Sequence, residues 1–184
     1  MATKNITCNF IGEFKVGDNI TRNAASLCKL VEANENEVFN KLIVVQAGSI
    51  VEAALDQIFY RAKNHTKEGV PTISEGHRAK IASKKIGRFK VIIEKMKEYK
   101  LLDELGADVY RDLDKLREYR NRIHIQLDSE LLPKVSRDEN TAFSSEVVKW
   151  ALQLNVNVLE HLIKRFPRPG HLAQYAQEIK LPTI

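Results

Sequence analysis

Little in this chain interrupts a helix. Of 184 residues, eight are glycine and five are proline, the two residue types that most readily stop one. There are two cysteines, Cys8 and Cys28. Two make neither a disulfide framework nor a zinc site, so both read as free thiols of a reducing compartment. The longest unbroken apolar run, LIVV at residues 42–45, falls far short of the ~20 residues that span a bilayer. The opening MATKNITCNF is too polar for a signal peptide. These absences predict a cytoplasmic protein with no membrane partner. GxGxxG, phosphate-loop, HExxH and GxSxG patterns are also missing, which removes the common nucleotide-binding, zinc-protease and hydrolase signatures. No metal or cofactor is expected.

What is present is helical periodicity. Residues 19–34 carry Ile20, Ala24, Leu27, Cys28, Leu30 and Val31 at helical spacing. A second and longer helix is predicted over 34–65, with apolar positions at 39, 43, 47, 50/51, 54, 58 and 62. Asn34 or Asn36 is placed to cap it, and Gly48 and Ser49 at its middle permit close approach of another helix. The polar linker NHTKEGVPTISEG, residues 64–76, leads to a third helix over about 78–105. Gly87 and KLLDELGAD mark places where that helix divides. A fourth spans about 109–127, and a fifth is SSEVVKWALQLNVNVLEHLIKRF, with a serine cap and Glu146 behind it. No convincing period-two stretch occurs. The prediction is an all-α, up-and-down bundle of about five helices. An irregular or short extended lead-in (1–18) precedes a single helical domain (19–166), and a C-terminal tail (167–184) follows it.

Charge is concentrated. The net charge is +5, yet residues 78–100 hold nine Lys/Arg against two Glu, leaving the rest of the chain slightly acidic. A solvated lysine-rich helix face explains such a segment, and so does a polyanion partner such as RNA. In the second case Lys84, Lys85, Arg88 and Lys95 are the candidate RNA contacts.

The densest chemistry lies in LREYRNRIHI, residues 116–125. The apolar stripe 109, 113, 116, 120, 123, 127 reads Val, Leu, Leu, Arg, Ile, Leu, so Arg120 intrudes on a seam where an unpaired cation is costly. His124 lies one turn on, and Arg117 and Asn121 flank the pair. Metal-free RNA cleavage needs a base for the 2′-hydroxyl, an acid for the leaving 5′-oxygen, and cations for the phosphorane. His124 titrates near neutrality, an arginine holds phosphate through paired hydrogen bonds, and Asn121 can orient either. One histidine serves one of two proton transfers, and a symmetric dimer would supply the second. In QAGSIVEAALDQIF, Glu52 stands among small apolar residues with Asp56 one turn on. Glu52 is expected to meet Arg120 or Arg117 across the helix two–helix four interface, an arrangement that serves a structural ion pair equally well. His65 and His77 have no chemical company in the sequence, His161 reads as a surface or satisfied histidine, and His171 falls in the tail.

LREYRNRIHI resembles the signature helix of HEPN domains, and KLIVVQAGSIVEAALDQIF resembles that family's earlier helix with its acidic residue at Glu52; the likeness covers about residues 20–166. It implies a metal-independent endoribonuclease leaving a cyclic phosphate and a 5′-hydroxyl, acting as a homodimer, in a toxin–antitoxin or phage-defence setting with a cognate antitoxin or defence partner. His124 would be the catalytic histidine and Asn121 the polar residue after the arginine. The spacing departs from the family's pattern: Arg120 has three residues before His124, whereas Arg117 has six but is followed by Glu118. Which arginine meets phosphate stays open. The alternatives are a non-catalytic helical module that binds RNA, nucleotide or protein, and a dimer in which Arg120–Glu52 is a purely structural pair.

Overall fold

A long apolar helix forms the axis of the fold. The computed structural model describes residues 2–83, 86–122 and 138–183. Within these, the chain runs β1 (Ala2–Cys8), α1 (Phe14–Glu32), α2 (Asn40–Asn64), α3 (Glu75–Ala82), α4 (Phe89–Glu98), α5 (Val109–Asn121), α6 (Glu139–Ala142), α7 (Ser145–Arg165) and β2 (Gln177–Thr183). Short 3-10 turns occupy Glu35–Glu37, Asp103–Leu105 and Gly170–Tyr175. The protein is mostly helical, an all-α bundle with one small antiparallel sheet added.

α2 is the axis because its apolar residues cover most of its circumference. Ile43, Ala47, Ile50, Val51, Ala54, Ile58 and Ala62 are all buried, as the helical period predicts. By length and composition alone α2 is apolar enough to cross a membrane, but 67% of its most apolar window is buried inside the protein, as befits a core helix. It packs against α7, α1, α5, α3 and α4. At Gly48 the neighbouring helix comes close: an added Cβ would sit 3.2 Å from Arg120 Cβ and 3.5 Å from Leu116 Cγ. The missing side chain therefore sets how closely α5 approaches.

Several boundaries differ from the sequence reading. The lead-in is the extended one of the two alternatives, and it is a strand in a sheet: β1 pairs antiparallel with β2, with Ile6 opposite Ile179 and Lys4 opposite Leu181. Ile6, Cys8, Ile179 and Leu181 turn into the core, and the pair lies against α1 and α7. Burial pushes the Cys8 thiol up to about 12, which keeps it protonated and unreactive at neutral pH. α1 starts five residues earlier than expected, at Phe14. The predicted third helix divides near Gly87, as the sequence suggests, into α3 and α4. α2 starts at Asn40, after a 3-10 turn, and its N-cap position is Phe39. Asn34 still acts at this end, since its Oδ1 accepts from the Phe39 amide at 2.8 Å. Ser144 occupies the α7 cap position without a side-chain cap bond; its hydroxyl bonds Glu146 instead and holds that carboxyl below its usual range. The predicted extension of helix four beyond residue 122 lies outside the described residues.

A buried ionic clasp closes one end of the bundle. Arg61 is 1% exposed and donates to the carbonyls of Phe10 and Phe166. Arg168 forks onto Glu68 at 3.0 and 2.5 Å and also donates to the Ile11 carbonyl at 3.2 Å. Gln57 accepts from the amides of Gly12 and Glu13 at 3.1 and 2.8 Å. The clasp ties the segment after β1 to the end of α2 and to the chain beyond α7. His65 belongs to it, with Nε2 3.1 Å from the Gly12 carbonyl and Nδ1 3.7 Å from Glu68, so it is not the isolated linker residue it seemed.

Candidate functional site at the α2–α5 crossing

The site is built by two helical periods that meet. On α5, Val109, Leu113 and Leu116 face the core, and Tyr119 continues that buried row. This turns Arg120 to the edge of the seam rather than into it: 33% of its side chain is exposed. On α2, Glu52 lies one turn beyond Gly48. Because α5 comes in close over Gly48, Arg120 reaches Glu52, and Nη2 stands 2.6 Å from Oε2.

Glu52 has a second partner. Its carboxylate accepts from the backbone amide of Phe89, the first residue of α4. An acceptor here satisfies one of the free amides at the helix start and meets the positive end of its dipole. The acidic side chain thus joins three helices. Burial pushes its carboxyl up; Arg120 and the Phe89 amide pull it down, and Asp56 pushes it up again. Asp56 is itself raised by burial and by Glu13. The arginine therefore stands over a half-buried acidic strip on α2, and its own edge faces solvent.

The other predicted residues are placed unevenly. Arg117 does not reach Glu52; its Nε is 2.7 Å from Asp114 and its Nη2 3.3 Å from Glu118, both on α5. Asn121 is exposed at the last position of α5. His124 lies outside the described residues, as do Lys84 and Lys85. Arg88 is exposed at the α4 cap position, one residue before the amide that Glu52 holds, so the basic segment meets the site there. Lys95 is bound to Glu98 on its own helix. His161 is buried, with Nε2 2.8 Å from the Leu101 carbonyl, a satisfied core histidine. Among the described residues, no group of three or more His, Cys, Asp or Glu side chains could hold a metal.

Sequence reading missed two features of this neighbourhood. The Phe89 amide left no signal, because a backbone donor has no residue type. The second is an aromatic and cationic cluster on the other flank of α5. Lys115 stands 4.5 Å over the Trp150 ring of α7, Tyr119 packs 5.4 Å from Phe143, and Arg122 lies 5.9 Å over Phe143. The alternation of Lys115, Tyr119 and Arg122 along one helix face was its available trace.

No family model, curated protein or solved structure matches this chain. The likeness to HEPN domains rests on the residues themselves.

Proposed function

We propose that the chain is an RNA-directed protein of HEPN type that cleaves RNA without a metal. The supporting observation is the held arginine: Arg120 is fixed by Glu52 at 2.6 Å while a third of its side chain faces solvent. A cation positioned before substrate arrives can stabilise a phosphorane without reorganising. In this reading Arg120 meets the phosphate, Glu52 positions it, Asn121 orients substrate or imidazole, and His124 transfers the proton. Arg88 and its neighbours guide the strand by charge. The 2′-oxygen attacks phosphorus as its proton leaves to a base, and the 5′-oxygen departs with a proton from an acid. A second copy supplies the partner histidine.

Arg117 favours a second reading. Two carboxylates of its own helix already neutralise it, and a site whose two arginines are both paired with carboxylates also suits a module that binds RNA without cutting. Incubation of varied single-stranded RNAs with EDTA present separates the two. The nuclease reading expects products with 5′-hydroxyl ends from wild type and none from His124→Ala. Equal cleavage by both proteins, or none by wild type, removes it. Retained, salt-sensitive binding without cleavage selects the module.

A further inference from the structure

Two aromatic side chains stand half in solvent beside a cleft that borders the ionic clasp. Phe14, the first residue of α1, is 47% exposed, and Tyr175, which ends the last 3-10 turn, is 52% exposed. Their ring centroids are 5.5 Å apart. Gly17 brings them together. A Cβ there would stand 3.1 Å from Gln177 Cγ, so the start of β2 lies close over α1 and carries Tyr175 to Phe14. Packing of one ring on the other accounts for their contact. It does not account for the half of each side chain that stays in water, where an aromatic surface gains most by being covered.

The cleft runs between Asn9, Ile11, Phe14, Arg168, Leu172 and Tyr175. It holds about 250 Å³, counted with its open mouth. Drug-sized ligands need about 300 Å³ or more, so the space suits one small ring.

The lining states which polar group that ring should carry. Asn9 Oδ1 is buried and has no hydrogen-bond partner among the described residues. A buried acceptor without a donor is costly, and a ligand N–H removes the cost. The charge in the lining is already met. Arg168 forks onto Glu68 and donates to the carbonyls of Ile11 and Gly12, with its guanidinium 5.7 Å over the Phe14 ring. Gln177, at the edge of the cleft, donates to Asp18 at 3.0 Å. The cleft therefore offers two open aromatic surfaces and one acceptor, and no unmet charge that would select an ion.

We propose that this cleft binds a small neutral aromatic molecule whose ring carries one N–H donor, of the indole kind. The ring lies in the mouth against the open sides of Phe14 and Tyr175, and the N–H donates to Asn9 Oδ1. The cleft shares no residue with the Arg120 site, so neither reading depends on the other.

The test titrates the isotope-labelled full chain and follows its amide NMR shifts. Indole should bind with a dissociation constant of about 0.3 mM, ordinary for so small a ligand in an open cleft, and should shift the amides of Asn9, Phe14 and Tyr175. N-methylindole keeps the ring, lacks the donor and should bind about tenfold more weakly. Asn9→Ala removes the acceptor and should bring the two ligands to equal affinity. Tyr175→Ala should weaken both about tenfold while its thermal melt stays at wild type, because half of that side chain is in solvent. Equal affinity of the two ligands for wild type overturns the proposal. So do shifts confined to residues outside the cleft, and an indole affinity that neither variant changes.

Discussion

Arg120 and Glu52 meet at 2.6 Å across the one stretch of α2 where a glycine replaces a side chain. The pair and the glycine form a single device. Gly48 lets α5 approach, the approach brings the guanidinium to the carboxylate, and the carboxylate in turn holds the start of α4.

Filling Gly48 with more than a methyl group should therefore damage stability and the site together. Gly48→Ala gains helix propensity but must displace Arg120 Cβ from 3.2 Å, so the two effects largely offset. Gly48→Val is too large for the gap and should cost about 1–3 kcal/mol. Thermal denaturation of the three proteins checks the order, and an alanine variant much less stable than the valine one would contradict it.

Arg120 and Arg117 should separate on RNA. If Arg120 meets the phosphate, Arg120→Ala should lower cleavage about 10²–10³-fold, the usual cost of removing one preorganised donor. Arg117→Ala removes a cation already bound to Asp114 and Glu118 and should change the rate less than tenfold, about 1.4 kcal/mol. Single-turnover rates with EDTA present are the measurement; equal losses would place both arginines on substrate.

Glu68 should make the fold acid-sensitive. Its carboxyl is held below its usual range first by the hydrogen bond from Arg168, with Arg168, His65 and Arg61 charges assisting against burial. A depressed folded pKa contributes stability above the ordinary carboxylate value, lost as pH falls through the folded one. Glu68→Gln leaves Arg61 buried without its anion and should cost about 3 kcal/mol at pH 7. The gap to wild type should narrow in melts taken below about pH 4.

Asp56 should behave oppositely. Burial and then Glu13 raise its carboxyl, so its favourable contribution is present at acid pH and disappears as pH rises through the folded value. The neighbouring Glu52 and Glu13 are also acidic, so the ionised form opposes folding at pH 7. Asp56→Asn should melt higher than wild type at pH 7, and the advantage should vanish below about pH 4. A variant that melts lower at pH 7 would mean that Asp56 has a cationic partner.

The helices were legible because their cause is local. On α2, Ile43 through Ala62 repeat at helical spacing, and on α5 the same period exposed Arg120 as an intruder opposite a small-residue stretch holding Glu52. The period ran slightly wrong on α5, since Tyr119 takes the core place that a strict count gave to Arg120. The sheet was not legible. Only Ile6 and Cys8 turn inward on β1, and their partners lie some 170 residues away on β2, so no window of sequence holds both halves. Nothing in the local sequence marks Arg61 as buried. Its burial follows from Glu68 and Arg168, which come from two other segments.

The β1–β2 pairing also sets an order of events. Thr3 pairs with Pro182 and Cys8 with Gln177, so β1, once synthesised, waits some 170 residues for β2. Until then Ile6 and Cys8 have no cover from Ile179 and Leu181, and the unpaired edge of β1 is open to other chains. The helices, rich in local contacts, can assemble early; closing the sheet spans nearly the whole chain and carries the largest loop-closure entropy in the molecule. Completion of this fold is therefore a late, non-local step, and a nascent chain stalled before residue 177 would display a sticky strand.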